Sequence, residues 1–300
     1  MVLNLRPAMC LAWLAALALL FAWPPESAMA AEQQMTHIGS FRVSGGELKE
    51  CVLGFRTYGT LAADQSNAVL FPTWAGVRTA HLEKWIGPGQ LLDSSKWYVI
   101  AVDALGNGVS CSPSNSRSTP SLAFPGYSIR DMVRAQHKIL TLNLGIDHLH
   151  AIVGIGMGGM QALQWAVTYQ DFADRLVLME TTAQPTDQDR RRWDSQLRAM
   201  EAGGQPVMKT LDTYRQLQAV RAFDLLGGGD MATLARKIKA RILVISSASN
   251  PWVEAEPARL LARQAKKARY LVVDRVCGDP ASGCDGHESA AAVARFLGPP

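Results

Sequence analysis

The sequence predicts an α/β protein built on a mainly parallel sheet covered on both faces. Short β-rich runs alternate with helix-period segments along most of the 300 residues. A hairpin pattern opens the folded part, and one helical stretch interrupts the strands late, after which they return.

Phe41 to Val43 and Cys51 to Tyr58 read as the opening hairpin, with Ser44-Gly45-Gly46 supplying the turn. Ala68 to Phe71 is a buried strand ending at Pro72, and Trp97 to Val102 another, followed by the glycine-containing loop Leu105 to Ser110. Ile129 to Leu144 is an amphipathic helix, with Met132, Val133, Ile139 and Leu142 available for one apolar face. Leu149 to Val153 is a strand, Met157 to Tyr169 a helix and Arg175 to Met179 the next strand.

From about Ala183 to Ile238 the β pattern stops. Helix-favouring segments Arg190 to Ala202 and Leu211 to Leu225 take over, the second ended by Gly227-Gly228-Gly229. Strands return at Ile242 to Ser246 and Tyr270 to Val273, and Glu288 to Phe296 closes as a helix. The layout is one sheet domain, residues 31–300, with a helical lid inserted at about 183–238.

Residues 1–30 carry the marks of a signal peptide. Arg6 precedes the apolar run Cys10 to Trp23, Pro24-Pro25 break it, and Ala28-Met29-Ala30 is the small-x-small pattern of a cleavage site. Cleavage near Ala30 leaves 300 − 30 = 270 residues and a net charge of 29 − 25 = +4. The expected location is periplasmic or secreted, without membrane association once the leader is removed; an uncleaved anchor is the alternative. Basic residues are dispersed apart from Arg190-Arg191-Arg192 and Lys266-Lys267, so nothing points to nucleic acid.

Beyond the leader stand Cys51, Cys111, Cys277 and Cys284, an even number suited to disulfides in an oxidising compartment. Cys277 with Cys284 is the better pair, closing a short loop worth roughly 2–3 kcal/mol in the chain-entropy model. Cys51 with Cys111 is weaker, since sequence does not show that they meet, and free buried thiols are the alternative to both. No Cys/His spacing resembles a zinc site.

Val153-Gly154-Ile155-Gly156-Met157-Gly158-Gly159-Met160 sits between a strand and a helix in the manner of a Gly-x-Ser-x-Gly nucleophile elbow, but with Gly156 where the serine would attack. Its continuation Gln161-Ala162-Leu163-Gln164-Trp165-Ala166 resembles the homoserine O-acetyltransferase branch of the α/β-hydrolase fold. So do Leu91-Leu92-Asp93, the run Trp97 to Gly108, Ile129-Arg130-Asp131-Met132-Val133 and Leu144-Gly145-Ile146. The resemblance covers about Cys51 to Asp171 and Lys237 to Leu297. It implies an α/β-hydrolase fold of about eight strands with helices on both faces, a short helical lid, and a Ser-acid-His triad.

Carried over residue by residue, the triad positions fall on Gly156, Asn250 (in Ser247-Ala248-Ser249-Asn250-Pro251-Trp252) and Asp279 (in Cys277-Gly278-Asp279). Glycine offers no nucleophile, asparagine no charge to support an imidazolium, and aspartate lacks the reach of histidine. Losing one member of such a unit already removes most of its rate advantage. The oxyanion hole is expected to persist, because backbone N–H groups of Met157 and of Trp74 or a neighbour would build it. The lid looks shorter than the family's, with Arg221 a faint candidate for contacting an acyl acceptor.

Two rival readings remain open. Gly154-x-Gly156-x-x-Gly159 formally matches a dinucleotide fingerprint, with Glu180 at the right distance to hold a ribose. Alternatively, catalysis is rebuilt from His287, Ser247, Ser249, Cys111 or Glu180. His148 and His150 read as structural, and His37, His81 and His137 carry no motif. Trp74 and Trp252 fall beside site-equivalent positions, as pocket walls or as core. The expectation is an exported pseudoenzyme that binds a small-molecule or acyl ligand, with no cofactor, no metal and no nucleic-acid partner.

Overall fold

A computed structural model describes residues 31–202, 208–247, 253–273 and 287–300. Eight strands form one sheet: β1 (Gln34–Val43), β2 (Gly46–Tyr58), β3 (Ala68–Pro72), β4 (Tyr98–Val102), β5 (Leu149–Ile155), β6 (Ala173–Met179), β7 (Arg241–Ser247) and β8 (Ala268–Val273). Their order is β1-β2-β4-β3-β5-β6-β7-β8. The first two joints, β1 with β2 and β2 with β4, are antiparallel, and the remainder are parallel.

Parallel strands covered on both faces must be apolar throughout, and β3 and β5 are buried at every residue. Alternate side chains divide the core into two layers. Leu70, Ile152, Leu176 and Val244 face one side with Met132, Leu163 and Trp165 from the helices α1 (Ile129–Lys138) and α2 (Met157–Thr168). Val69, Val153, Val177 and Ile245 face the other, against the short 3-10 helix Thr79–Trp85 and α7 (His287–Leu297).

Between β6 and β7 lie α3 (Asp187–Ala202), α4 (Met208–Arg221) and α5 (Met231–Lys237); α6 (Glu256–Gln264) joins β7 to β8. The helical stretch is not all excursion. α3 packs on α4, whereas α5 returns to pack on α6 and α2 in the layer that covers the sheet.

Several expectations are corrected in detail. The first strand is much longer than Phe41 to Val43, because the ladder to β2 slips past Gly39 and continues to Gln34. The helix expected to reach Leu144 changes character after Lys138 into a π-turn, Ile139–Asn143, with Leu144 N–H donating to the Ile139 carbonyl at 3.1 Å. The extra residue in that turn shifts the apolar face, so Ile139 stays buried while Leu142 is 75% exposed. The second lid helix ends at Arg221, before the glycines, and Gly227 and Gly228 take left-handed φ in the loop that follows.

The cysteine pairing ranked lower from the sequence is the one found among the described residues. Cys51 on β2 is bonded to Cys111 in the loop after β4, with Cα atoms 5.4 Å apart. Antiparallel pairing of β2 with β4 brings that loop over β2, so Cys111 N–H donates to the Val52 carbonyl at 2.8 Å. Cys277 and Cys284, like the leader, lie outside the described residues.

Closing a separation of 60 residues is worth roughly 4 kcal/mol in the chain-entropy model. A Cys51→Ala/Cys111→Ala double variant should therefore lose about 2–4 kcal/mol of unfolding free energy in denaturant titrations. Dithiothreitol should lower the wild-type midpoint by more than it lowers the variant's.

Candidate functional site

The chain turns from β5 into α2 within a single residue. Gly156 holds φ +54° and ψ −119° and caps α2 at its N-terminus. Its N–H donates to the Met179 carbonyl at the end of β6, and its own carbonyl accepts from Thr181 Oγ1 at 2.8 Å. Such a φ is costly for any residue with a Cβ, by about 1 kcal/mol or more.

The neighbouring glycines are needed for a different reason. A Cβ at Gly154 would collide with the Gly158 carbonyl, one at Gly158 would come within 2.7 Å of the Pro72 carbonyl, and one at Gly159 within 2.6 Å of Thr181 Cβ. At Gly156 a Cβ would meet only Trp74 Cβ, at an ordinary 3.9 Å. Of the four glycines in this turn, Gly156 alone leaves room for a side chain.

The helix start and the loop after β3 come together here. Met157 opens α2, where N–H groups have no intrahelical acceptor and the helix dipole is positive. Trp74 lies against the Gly156 turn. Gln161 fastens the two, its Nε2 donating to the Thr73 carbonyl at 3.0 Å and to the Met157 carbonyl at 3.1 Å. A buried relay continues from Gln161 Oε1 through Gln136 to Trp165 Nε1.

From the lid side, Gln216 of α4 accepts the Gly76 N–H at 2.8 Å and donates to the Leu105 carbonyl at 3.0 Å. Asp212, one turn earlier, accepts the Ser114 N–H and hydroxyl. Burial holds the Asp212 carboxyl above its ordinary range against these bonds and Arg78. Beneath the same loop, buried Asp103 accepts from Thr79 N–H at 2.9 Å, Thr79 Oγ1 at 2.8 Å, Asn107 Nδ2 at 2.7 Å and Gln33 Nε2 at 3.0 Å. Gln33 also accepts from Thr79 Oγ1 and Arg56 Nε.

None of these glutamines was singled out from the sequence. Gln136 shares a helix face with Met132 and Ile139, and a polar residue on an apolar stripe was the signal that could have found it.

Glu180, immediately past β6, is unusual in three ways. It has a left-handed φ of +47°, it is only 8% exposed, and its Oε2 has no hydrogen-bond partner among the described residues. Oε1 accepts the Ser247 N–H at 2.5 Å, tying the exits of β6 and β7. Burial raises the carboxyl's pKa, and hydrogen bonding from Ser247 opposes the shift.

The remaining candidates are dispersed. Arg221 pairs with Asp194 on the exposed junction of α3 and α4. Cys111 is bridged and offers no thiol. His148 pairs with Asp174 at the surface, His150 lies on Trp97 with its Nε2 at 2.9 Å from the Leu297 carbonyl, and His137 stacks on Tyr169. His81 packs its Nδ1 on the Arg78 N–H in the 3-10 helix, and His37 sits on β1. His287 is the first residue of α7. Asn250, Asp279, Ser249 and Trp252 lie outside the described residues.

Comparison with known proteins agrees with this geometry. A family model described as alpha/beta hydrolase fold matches residues 69–203. Ethyl acetate hydrolase from Pseudomonas veronii is 41% identical over 161 residues, 52% of this chain and 46% of that protein. A homoserine O-acetyltransferase from Methanohalophilus mahii is 40% identical over 159 residues, 47% of this chain and 32% of the relative. The chain thus matches about a third to a half of the length of these curated relatives. The solved acetylester hydrolase from Corynebacterium glutamicum superposes with a TM-score of 0.76 at 22% identity, across 89% of this chain and 93% of that one.

The chain has the α/β-hydrolase fold, with homoserine O-acetyltransferase and esterase homologues. In the α/β-hydrolase fold a nucleophile elbow is a sharp strand-to-helix turn, and the turn from β5 into α2 here is made at Gly156. The glycines that suggested a dinucleotide fingerprint are accounted for within the fold, Gly154 by the Gly158 carbonyl and Gly159 by Thr181.

Two expectations follow. Gly154→Ala should cost roughly 3 kcal/mol or more in denaturant titrations, whereas Gly156→Ala should cost about 1 kcal/mol. For Glu180 the folded carboxyl titrates above its unfolded value of 4.5. The ionised form therefore penalises folding at pH above the folded pKa, and the penalty fades as pH falls towards the unfolded one. Glu180→Gln should accordingly be more stable than wild type at pH 8, the gap closing near pH 4 in parallel thermal melts.

Proposed function

We propose that this is an exported, non-catalytic member of the homoserine O-acetyltransferase-like group that binds an acyl or carbonyl compound at its former nucleophile elbow. The observation that carries the reading is the Gly156 turn: the elbow backbone, its packing glycines and the adjoining Trp74 loop are all retained, with space where a serine side chain would stand and no side chain in it. Serine-based acyl transfer forms a bond between nucleophile and acyl carbon, so without an oxygen or sulfur at 156 no acyl-enzyme forms by that route. What remains is the start of α2 and the Trp74 loop, which suit a carbonyl or carboxylate oxygen.

Asn250 and Asp279, carried over from the family resemblance at the acid and histidine positions, support the same reading. Export is supported by the leader-like N-terminus and by the Cys51–Cys111 bridge, a bond at home in oxidising compartments. Among the described residues no helix is long and apolar enough to cross a membrane.

The test is activity-based labelling with a fluorophosphonate together with a panel of short-chain activated esters. Wild-type protein should show neither labelling nor turnover above buffer. Gly156→Ser should fold but remain slow, whereas serine, aspartate and histidine reinstated together at 156, 250 and 279 should give weak esterase turnover. Efficient hydrolysis by the wild type would replace this reading with a catalytic site rebuilt from other residues.

A further inference from the structure

A buried carboxyl group with one oxygen left without a partner on strained backbone is unusual, and strain of this kind concentrates at functional sites. Glu180 combines all three properties at the crest of the sheet, one residue before the threonine that holds the Gly156 carbonyl. The backbone fixes it there from both sides. Its N–H donates to the Ile245 carbonyl of β7 at 3.1 Å, and Met179, just before it, accepts the Gly156 N–H. One carboxylate oxygen is used, on Ser247. The other is short of a hydrogen-bond donor.

We propose that Glu180 is a ligand-contacting residue of the Gly156 cleft, and that it selects acyl compounds bearing a hydroxyl group near the carbonyl. This rests on the reading that the cleft binds acyl compounds. A ligand carbonyl held at the start of α2 occupies the space left open at Gly156, and neighbouring strands are only about 5 Å apart. A hydroxyl a few atoms along the same ligand therefore spans the distance from β5 towards the β6–β7 exits. A hydroxyl suits this place better than an ammonium. The described groups acting on Glu180 are neutral: Ser247 hydrogen-bonds to it, and burial itself favours the uncharged carboxyl. A neutral partner that both donates and accepts serves either protonation state.

Calorimetric titration of the purified protein with ethyl butyrate and ethyl 3-hydroxybutyrate tests this. Wild type should bind the hydroxy ester roughly tenfold more tightly, the worth of one good hydrogen bond. Glu180→Met should bind both esters equally. Glu180→Gln, which keeps the Ser247 contact, should retain part of the preference. Equal binding of both esters by wild type would overturn the role of Glu180 while leaving acyl binding standing. A hydroxy preference unchanged in Glu180→Gln and Glu180→Met would overturn the ligand contact and leave the residue a purely structural role. Failure of wild type to bind either ester at millimolar concentration would sink the acyl-binding reading and this inference together.

Discussion

The close approach of α2 to the sheet is the constraint on which the site depends. A helix can follow a strand through one residue only if its first turn lies almost on the strand backbone, and here no side chain intervenes at 154, 158 or 159. That contact fixes the direction of the α2 dipole, the height of Met157 above the crest and the packing of α2 on Thr181, just past β6. Gly156 is different in kind, since what it spares the fold is torsional strain and not a collision.

Around this turn, the loop after β3 is held by side-chain amides and carboxylates from widely separated parts of the chain. Gln161 comes from α2, Gln216 from the lid, Asp103 from the end of β4 and Gln33 from the start of β1. A loop pinned from four directions keeps its backbone N–H groups in place without a bound ligand, which lowers the ordering cost of binding.

Much of this was legible in the sequence. The parallel strands declared themselves by continuous apolar runs, and the elbow by its glycines, because both features are local and leave few alternatives. What was hidden depended on contacts between distant segments. The Cys51–Cys111 pair becomes obvious only once β2 lies beside β4, and the extension of β1 to Gln34 only once β2 offers it a ladder. Leu142 was placed on the wrong side because one π-turn breaks the 3.6-residue period. The sequence marks Glu180 only by its distance from the glycines; its backbone angle and its idle oxygen are facts of three-dimensional packing.

The position of Gln33 has a practical corollary for anyone handling the molecule. Its amide is wedged between Asp103, Thr79 and Arg56, only three residues after the expected cleavage point at Ala30. Trimming a recombinant version by a handful of amino acids at this end would pull a peg from under the Trp74 loop. Affinity handles and fusion partners therefore belong at the opposite terminus, where Gly298, Pro299 and Pro300 trail beyond the last helix.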